Sequence, residues 1–189
     1  MRRRISGDDR GVSMVEFALV LVLLLMIAIG AFEYGMVFRD SLTVSTASRE
    51  AGRVAASTAN HGDADCVILE AAAGALQSLE TGLIDEVHIY KSNENGDIPA
   101  GGSSTMRRYS PYQPGDLDLV ACSGGAEWNA EHLGGAWDPD DRVNTEGGAD
   151  WIGVRIQYEH AWITDFLWWT GTMDLADEAV FRIEPPAPE

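Results

Sequence analysis

The longest hydrophobic pattern in the chain is an apolar run near its amino terminus. From Phe17 to Phe38 the only charged residue is Glu33. A helix over these 22 residues spans roughly 33 Å, which matches a hydrocarbon core of about 30 Å. A cleaved secretory signal would instead have an apolar core of about 7 to 15 residues that ends in a small-residue cleavage site. The run therefore predicts a transmembrane helix, which we place at 12–38.

The apolar pattern continues past this run on one helical face. No proline occurs between Arg39 and Ser57, and the apolar positions recur at spacings of three, four and seven. They are Val37, Val44, Ala47, Ala51, Val54 and Ala55, whereas Ser45, Ser48, Arg49 and Arg53 lie off this stripe. We therefore expect one helix of about 40 residues, with an extracytoplasmic continuation at 39–58. The stretch 57–62 ends it, with Gly62 free to adopt a positive φ.

The following patterns predict a second helix and then strands. Asp63 or Asp65 is a candidate N-cap for a helix that ends before Gly82. Its apolar face is Ile68, Ala71, Ala72, Ala75, Leu76 and Leu79. The period then changes to two at 87–90, 152–158 and 179–184, which predicts three half-buried strands. A short helical turn is expected from Thr164, and Trp168 and Trp169 beyond it fit either core packing or a partner surface.

The interval 92–150 has a different composition from its surroundings. It holds ten of the 20 glycines and four of the seven prolines, and only 115–122 resembles a strand. We read it as a loop-rich insertion in an exported domain at 59–185, followed by a tail at 186–189. The fold class is α+β: a long amino-terminal transmembrane and stalk helix and a second helix, packed on a small, mainly antiparallel sheet.

Charge indicates the orientation of the chain. Four arginines precede the apolar run and only Arg39 follows it closely, which predicts a basic cytoplasmic leader at 1–11 and an exported remainder. Residues 41–189 carry eight basic and 25 acidic side chains, so the net charge of −17 belongs to the exported part. Such a domain repels phosphate groups, and we expect no nucleic-acid partner.

The two cysteines, Cys66 and Cys122, both fall in this exported part, where oxidation is permitted. A disulfide between them would close a loop of more than 50 residues and stabilise the fold by about 4 kcal/mol in the chain-entropy model. Two buried free thiols are the alternative interpretation.

Signals for catalysis are weak. The sequence has no HExxH, GxSxG or GxxxxGK[ST] motif and no cysteine pair at metal-site spacing. The acidic turn at 138–142 has Arg142 and Val143 where an EF-hand loop needs an oxygen ligand and a glycine. We therefore expect no enzyme activity, no cofactor and no metal.

Glu16 lies at the start of the apolar run, five residues after Gly11. A carboxylate at the end of a membrane helix costs a few kcal/mol unless it is hydrated or paired, so it suggests a function. Gly11, as an extended residue before the helix, would be accessible to a protease. Cleavage there would leave an ammonium on Val12 that could pair with Glu16 of a neighbouring subunit as helices bundle. The simpler interpretation is that Glu16 merely flanks the membrane helix, where water hydrates its carboxylate, and has no function.

Three segments carry a family resemblance. The run RGVSMVEFALVL, the later IGAFEYG at 29–35 and TASREAGR at 46–53 resemble the TadE-like family of tight-adherence (Flp) pilus assembly proteins. The carboxy-terminal segment 150–185 is also similar to the ending of that family. Phe17 stands where the major pilins usually have tyrosine, which groups this chain with the minor proteins.

The resemblance implies a minor pilin-like protein, a pseudopilin, that a prepilin peptidase cleaves between Gly11 and Val12. It also implies partners: other pilins and pseudopilins, the inner-membrane pilus assembly platform, and the cytoplasmic membrane. The implied function is to support pilus initiation or assembly for surface attachment, with Glu16 and Phe17 acting in assembly. Two alternatives stay open, a membrane-tethered extracytoplasmic binding module and an anchored hydrolase with a converging pair of acids.

Overall fold

The computed structural model describes residues 9–58, 60–79, 83–97, 105–114, 116, 119–125, 127–131, 137–164 and 170–185, without the side chains of 9, 10 and 131. One long helix and one short helix pack against a six-stranded antiparallel sheet. The predicted α+β class is confirmed. The expected helical turn after Thr164, with Trp168 and Trp169, lies outside the described residues.

Helix α1 is a single continuous helix at Asp9–Thr58, 50 residues long. It is longer than predicted because it begins before Gly11, and it ends where predicted. Gly62 does not adopt a positive φ, so that expectation was wrong. The chain turns through ordinary backbone bonds instead: the His61 N–H donates to the Thr58 carbonyl at 3.0 Å, and the Ala64 N–H donates to the His61 carbonyl at 2.8 Å.

The carboxy-terminal half of α1, called its upper half below, packs on the sheet through its small apolar residues. The predicted stripe is confirmed, since all its members are buried or partly buried: Val37, Val44, Ala47, Ala51, Val54 and Ala55. Ser48 was predicted to lie off this stripe and is instead fully buried, because it faces strand residues of the domain. Gly52 allows especially close approach, because a Cβ at this position would lie 2.7 Å from Phe181.

Helix α2 spans Ala64–Ala75 and packs on α1. The helix ends earlier than predicted, at Ala75. Ile68 and Ala72 of the predicted apolar face are buried within it, and Leu76 and Leu79 are buried just beyond its end. Asp63 is the N-cap residue, but its side chain makes no capping hydrogen bond. Asp65, the other candidate cap, lies inside the first turn and is buried.

The sheet has the order β3-β4-β2-β1-β5-β6, and every neighbouring pair is antiparallel. Its strands are β1 (Ile84–Ser92), β2 (Met106–Pro111), β3 (Leu119–Ala121), β4 (Glu127–Glu131), β5 (Trp151–Ala161) and β6 (Thr172–Arg182). The interval 92–150 was predicted to hold one strand, at 115–122; this strand is present as β3, but the number of strands was wrong. The interval supplies β2, β3 and β4, which are short segments with charged and polar residues and so lack a clear alternation.

Strand β1 is buried on both faces rather than half-buried. Val87 and Ile89 face the core as predicted, but His88 and Tyr90 on the other face are also buried. Tyr90 lies directly over Gly153 of β5, where a Cβ would overlap its ring. The missing side chain of this glycine is what makes room for the phenol ring.

Candidate functional site at the membrane helix and its junction with the domain

The structure places the predicted processing and assembly residues in the first turns of α1. Gly11, Val12, Glu16 and Phe17 are all helical and all exposed. Gly11 was expected to be extended, just before the helix; this was wrong, because nothing in the sequence stops the helix between Asp9 and Val12. No atom lies within 4 Å of a Cβ built on Gly11, so this turn is unsupported by the rest of the described chain.

Glu16 is exposed and lies on α1 well before the part of the helix that the folded domain covers. Among the described residues none donates a hydrogen bond to its carboxylate or forms an ion pair with it. The apolar side chains of Val12, Leu19 and Val20, which lie beside it on α1, are exposed. The structure therefore gives Glu16 no partner within the described part of the chain. A partner from outside the chain, or water at the membrane surface, is the remaining way to satisfy this charge.

Helix α1 is long and apolar enough to cross a membrane once. The residues from Val12 to Phe32 are almost all exposed, with few contacts to the domain. At 1.5 Å per residue they extend about 32 Å along the helix axis. Gly30 and Glu33 are the first buried residues, and from there the domain covers one face of the helix. This pattern fits a single-pass membrane protein with its folded domain on one side.

Glu33 marks the point where the domain begins to contact α1. Its side chain is wholly buried, although it lies in the apolar run. Its carboxylate accepts hydrogen bonds from the backbone N–H groups of Ile163, at 3.2 Å, and Thr164, at 2.6 Å. These residues follow β5, so the end of the β5 strand is tied to the helix by a charge-assisted pair of bonds.

A second polar link lies two turns further along the helix. His160 of β5 and Asp40 of α1 are both buried, and the imidazole Nδ1 lies 2.7 Å from the carboxylate Oδ2. The Trp162 indole packs edge-on against both His160 and Tyr34, with ring centroids 5.6 Å and 6.2 Å apart. These aromatic contacts and the His160–Asp40 hydrogen bond connect α1 to the end of β5.

Two further bonds fasten the upper part of α1. The Ser48 hydroxyl donates to the Asp177 carboxylate of β6 at 2.8 Å, and the Glu184 N–H donates to the Ala56 carbonyl at 2.8 Å. Together with Glu33 and Asp40 they hold the helix to β5 and β6 over some 24 residues. The sequence analysis missed Glu33 and Asp40. Their spacing of seven, on the same face as Val37 and Val44, was the available signal.

A separate buried polar cluster lies at the start of α2, beside the disulfide. The Asp65 carboxylate accepts bonds from Arg142 at 2.5 Å, from the Tyr109 hydroxyl at 2.6 Å and from Arg107 at 3.0 Å. Burial, reinforced by the charge of Asp65, raises the pKa of Tyr109 far above its usual range, so the phenol stays a donor. Asp65 thus joins α2 to the strand β2 and the segment before β5.

Cys66 and Cys122 are joined by a disulfide, with 5.3 Å between their Cα atoms. This separation lies in the ordinary range for a disulfide. The bond ties α2 to the chain that leaves β3, and the adjacent Gly124 N–H donates to the Glu70 carboxylate. The short edge strand β3 is therefore held to the helix layer by one covalent and one polar link.

Acidic residues do converge on one cavity of about 640 Å³ beside this cluster: Asp63, Asp65, Asp138, Asp140 and Asp141. Asp65 is bound to two arginines, and Asp138 pairs with Arg107. The other three carboxylates are exposed at the rim. Carboxylates held by guanidinium groups are not available as a general acid or base, so this arrangement favours a structural role. Within the described residues no group of His, Cys, Asp or Glu could hold a metal ion.

A family model described as TadE-like protein matches residues 11–53, the segment that contains Gly11, Glu16, Glu33 and Asp40. No curated protein and no solved structure matches the chain. The resemblance stated above for residues 150–185 lies outside the matched segment. The predicted resemblance of this chain to the TadE-like family of pilus assembly proteins is confirmed over residues 11–53.

Proposed function

We propose that this protein is a minor pilin-like component, a pseudopilin, of a tight-adherence pilus assembly system, and that it supports initiation or assembly of a pilus used for surface attachment. One observation carries the proposal. Helix α1 is continuous, yet its first part is bare and apolar while its second part is fastened to an α+β domain. Such a subunit can leave lipid and enter a bundle of similar helices without rearranging its domain.

The exposed apolar part of α1, together with exposed residues just beyond Phe32, offers a continuous face for such a bundle. Glu16 and Tyr34 are 18 residues apart, which is five helical turns, so they lie on the same side of the helix. Leu23, Ile27 and Phe38 fall on that side as well, and all of them are exposed. Helices in lipid associate through packing and polar contacts rather than through the hydrophobic effect. An apolar face with a single carboxylate at its lower end suits that kind of association.

Cleavage between Gly11 and Val12 by a prepilin peptidase would give Glu16 its partner. The first turn of a helix has unpaired N–H groups, and no atom of the described residues lies within 4 Å of a Cβ built on Gly11. A glycine in a helix also costs about 1 kcal/mol relative to alanine. Local unwinding at Gly11 therefore costs little free energy, so its helical conformation does not prevent cleavage there. The new ammonium on Val12 and the Glu16 carboxylate of a neighbouring subunit would then neutralise each other when both are buried.

The proposed orientation has the amino terminus in the cytoplasm and the domain outside. The arginines at 2, 3, 4 and 10 favour that orientation. The Cys66–Cys122 disulfide suits it too, because such bonds persist in extracytoplasmic compartments. In this setting the partners are the prepilin peptidase, other pilins and pseudopilins, and the inner-membrane assembly platform, and the protein acts by assembly rather than catalysis.

The test is replacement of the Glu16 carboxylate in cells that make the pilus. Glu16→Ala should leave membrane insertion intact and abolish pilus formation, whereas Glu16→Asp should retain part of it. Glu50→Ala is the matched control, because Glu50 is a half-exposed carboxylate on the same helix, paired with Arg53 at 3.0 Å far from the membrane end. Normal pilus formation with Glu16→Ala would remove Glu16 from the mechanism and favour a tethered binding module.

A further inference from the structure

The end of the β5–β6 hairpin that contacts α1 lies close to the level of the membrane surface. The segment 12–32, in which Gly30 alone is buried, has the length of a bilayer core, so the membrane surface lies close to Glu33. Ile163 and Thr164 donate their backbone N–H groups to Glu33, which places this end of the hairpin at the same level. The domain therefore begins at the membrane surface, without an intervening length of free helix.

The side chains at this level are those that favour a membrane surface. Tyr34 is 61% exposed, Ile163 is 54% exposed, and Trp162 is partly exposed where it packs on the Tyr34 ring. Tyrosine and tryptophan, with an apolar ring and one polar group, are enriched at the level of lipid headgroups. We call these three residues the interfacial patch. In water their exposure would be unfavourable, and lipid removes that penalty.

We propose that the interfacial patch is a second membrane contact: Tyr34, Trp162 and Ile163 insert into the headgroup and upper acyl layer, so that the domain rests on the lipid surface. The strongly acidic domain is not drawn there by charge, so the contact is apolar and aromatic. It would fix the depth of α1 in the bilayer. It would also keep the buried Glu33 carboxylate, with its two backbone donors, at the boundary of the hydrocarbon.

Fluorescence quenching by brominated lipid tests this contact directly. The full chain is reconstituted in phosphatidylcholine vesicles with and without bromine near the top of the acyl chains. Trp168 and Trp169 are replaced by phenylalanine to remove their signal. Of the remaining tryptophans, Trp128 and Trp137 are buried in the domain. Trp151 begins β5, and the strand carries it roughly 36 Å from Trp162.

We expect brominated lipid to quench part of the emission, and the quenched part to be lost in Trp162→Phe but kept in Trp137→Phe. Ile163→Asp, which leaves the Trp162 reporter in place, should reduce the quenching by pushing the patch out of lipid. Equal emission in both kinds of vesicle would overturn the proposal, and so would quenching that persists in Trp162→Phe. Lack of quenching together with concentration-dependent crosslinking at Ile163 would assign the patch to a neighbouring subunit instead. None of these outcomes depends on cleavage or pilus formation.

Discussion

His160 of β5 and Asp40 of α1 form a buried contact of 2.7 Å between residues 120 positions apart in sequence. It lies between the Glu33 link and the packed alanine stripe, so it fixes where the membrane helix meets the sheet. Removing either partner leaves the other polar group buried without its bond, and that penalty is larger than the net value of the pair.

The first prediction concerns this contact. His160→Ala and Asp40→Ala should each lower the free energy of unfolding by about 2 to 4 kcal/mol. The double variant should lose clearly less than the sum, because the two residues stabilise through each other. Denaturant unfolding in detergent measures all three, with His61→Ala, an exposed histidine, as a control that should not change stability. Additive losses would show that the two residues act independently.

The second prediction compares Asp63 and Asp65, the two residues that the sequence offers as N-cap of α2. Asp65→Ala leaves Arg142, Arg107 and the Tyr109 hydroxyl without their shared carboxylate, and should destabilise the domain by about 3 to 5 kcal/mol. Asp63→Ala removes an exposed side chain that makes no capping bond and should have little effect. Thermal melts of the two variants compare them directly. A larger loss from Asp63→Ala would mean that the cap, and not the buried cluster, stabilises this end of the helix.

The third prediction concerns the disulfide. Cys66→Ser should lower the melting temperature under oxidising conditions, since the bond closes a long loop and contributes about 4 kcal/mol in the chain-entropy model. With reductant present, the wild-type protein should melt at the same temperature as the variant. An equal gap between wild type and variant in both conditions would show that the serine itself, rather than loss of the bond, destabilises the fold.

The fourth prediction concerns the close packing of α1 on β6. A methyl group on Gly52 would lie 2.7 Å from the Phe181 ring, so Gly52→Ala should destabilise the domain by about 1 to 3 kcal/mol through overpacking. Gly74→Ala is the matched control in α2. It has open space around its Cβ position and should stabilise the protein by up to about 1 kcal/mol through helix propensity. Destabilisation by both substitutions to the same extent would contradict the packing argument.

Long periodic segments were predictable because one physical signal dominates each of them. Hydrophobic length alone indicates the lower half of α1, and the spacing of Val44, Ala47, Ala51 and Ala55 indicates which face of its upper half is buried. Strand β5 was predictable for the same reason, since Ile152, Val154 and Ile156 alternate cleanly. In each case a single pattern coincides with the tertiary environment.

The remaining features depend on contacts that sequence spacing does not show. Strands β2, β3 and β4 show little alternation of apolar and polar residues. They form strands because their backbones pair with neighbouring strands of the sheet. Tyr90 is buried because Gly153, far away in sequence, leaves room for it. Likewise, Glu33 and Asp40 are interpretable only once the end of β5 supplies two N–H groups and His160.

The central claim, that α1 carries a processing and assembly signal at its lower end, is tested most directly at the amino terminus of the protein itself. The measurement is intact mass with amino-terminal sequencing of protein recovered from cells with and without their prepilin peptidase. The proposal predicts a chain that begins at Val12 only when the peptidase is present. A chain that begins at Met1 in both strains would contradict it, and would leave Glu16 as a tolerated flank of a simple membrane anchor.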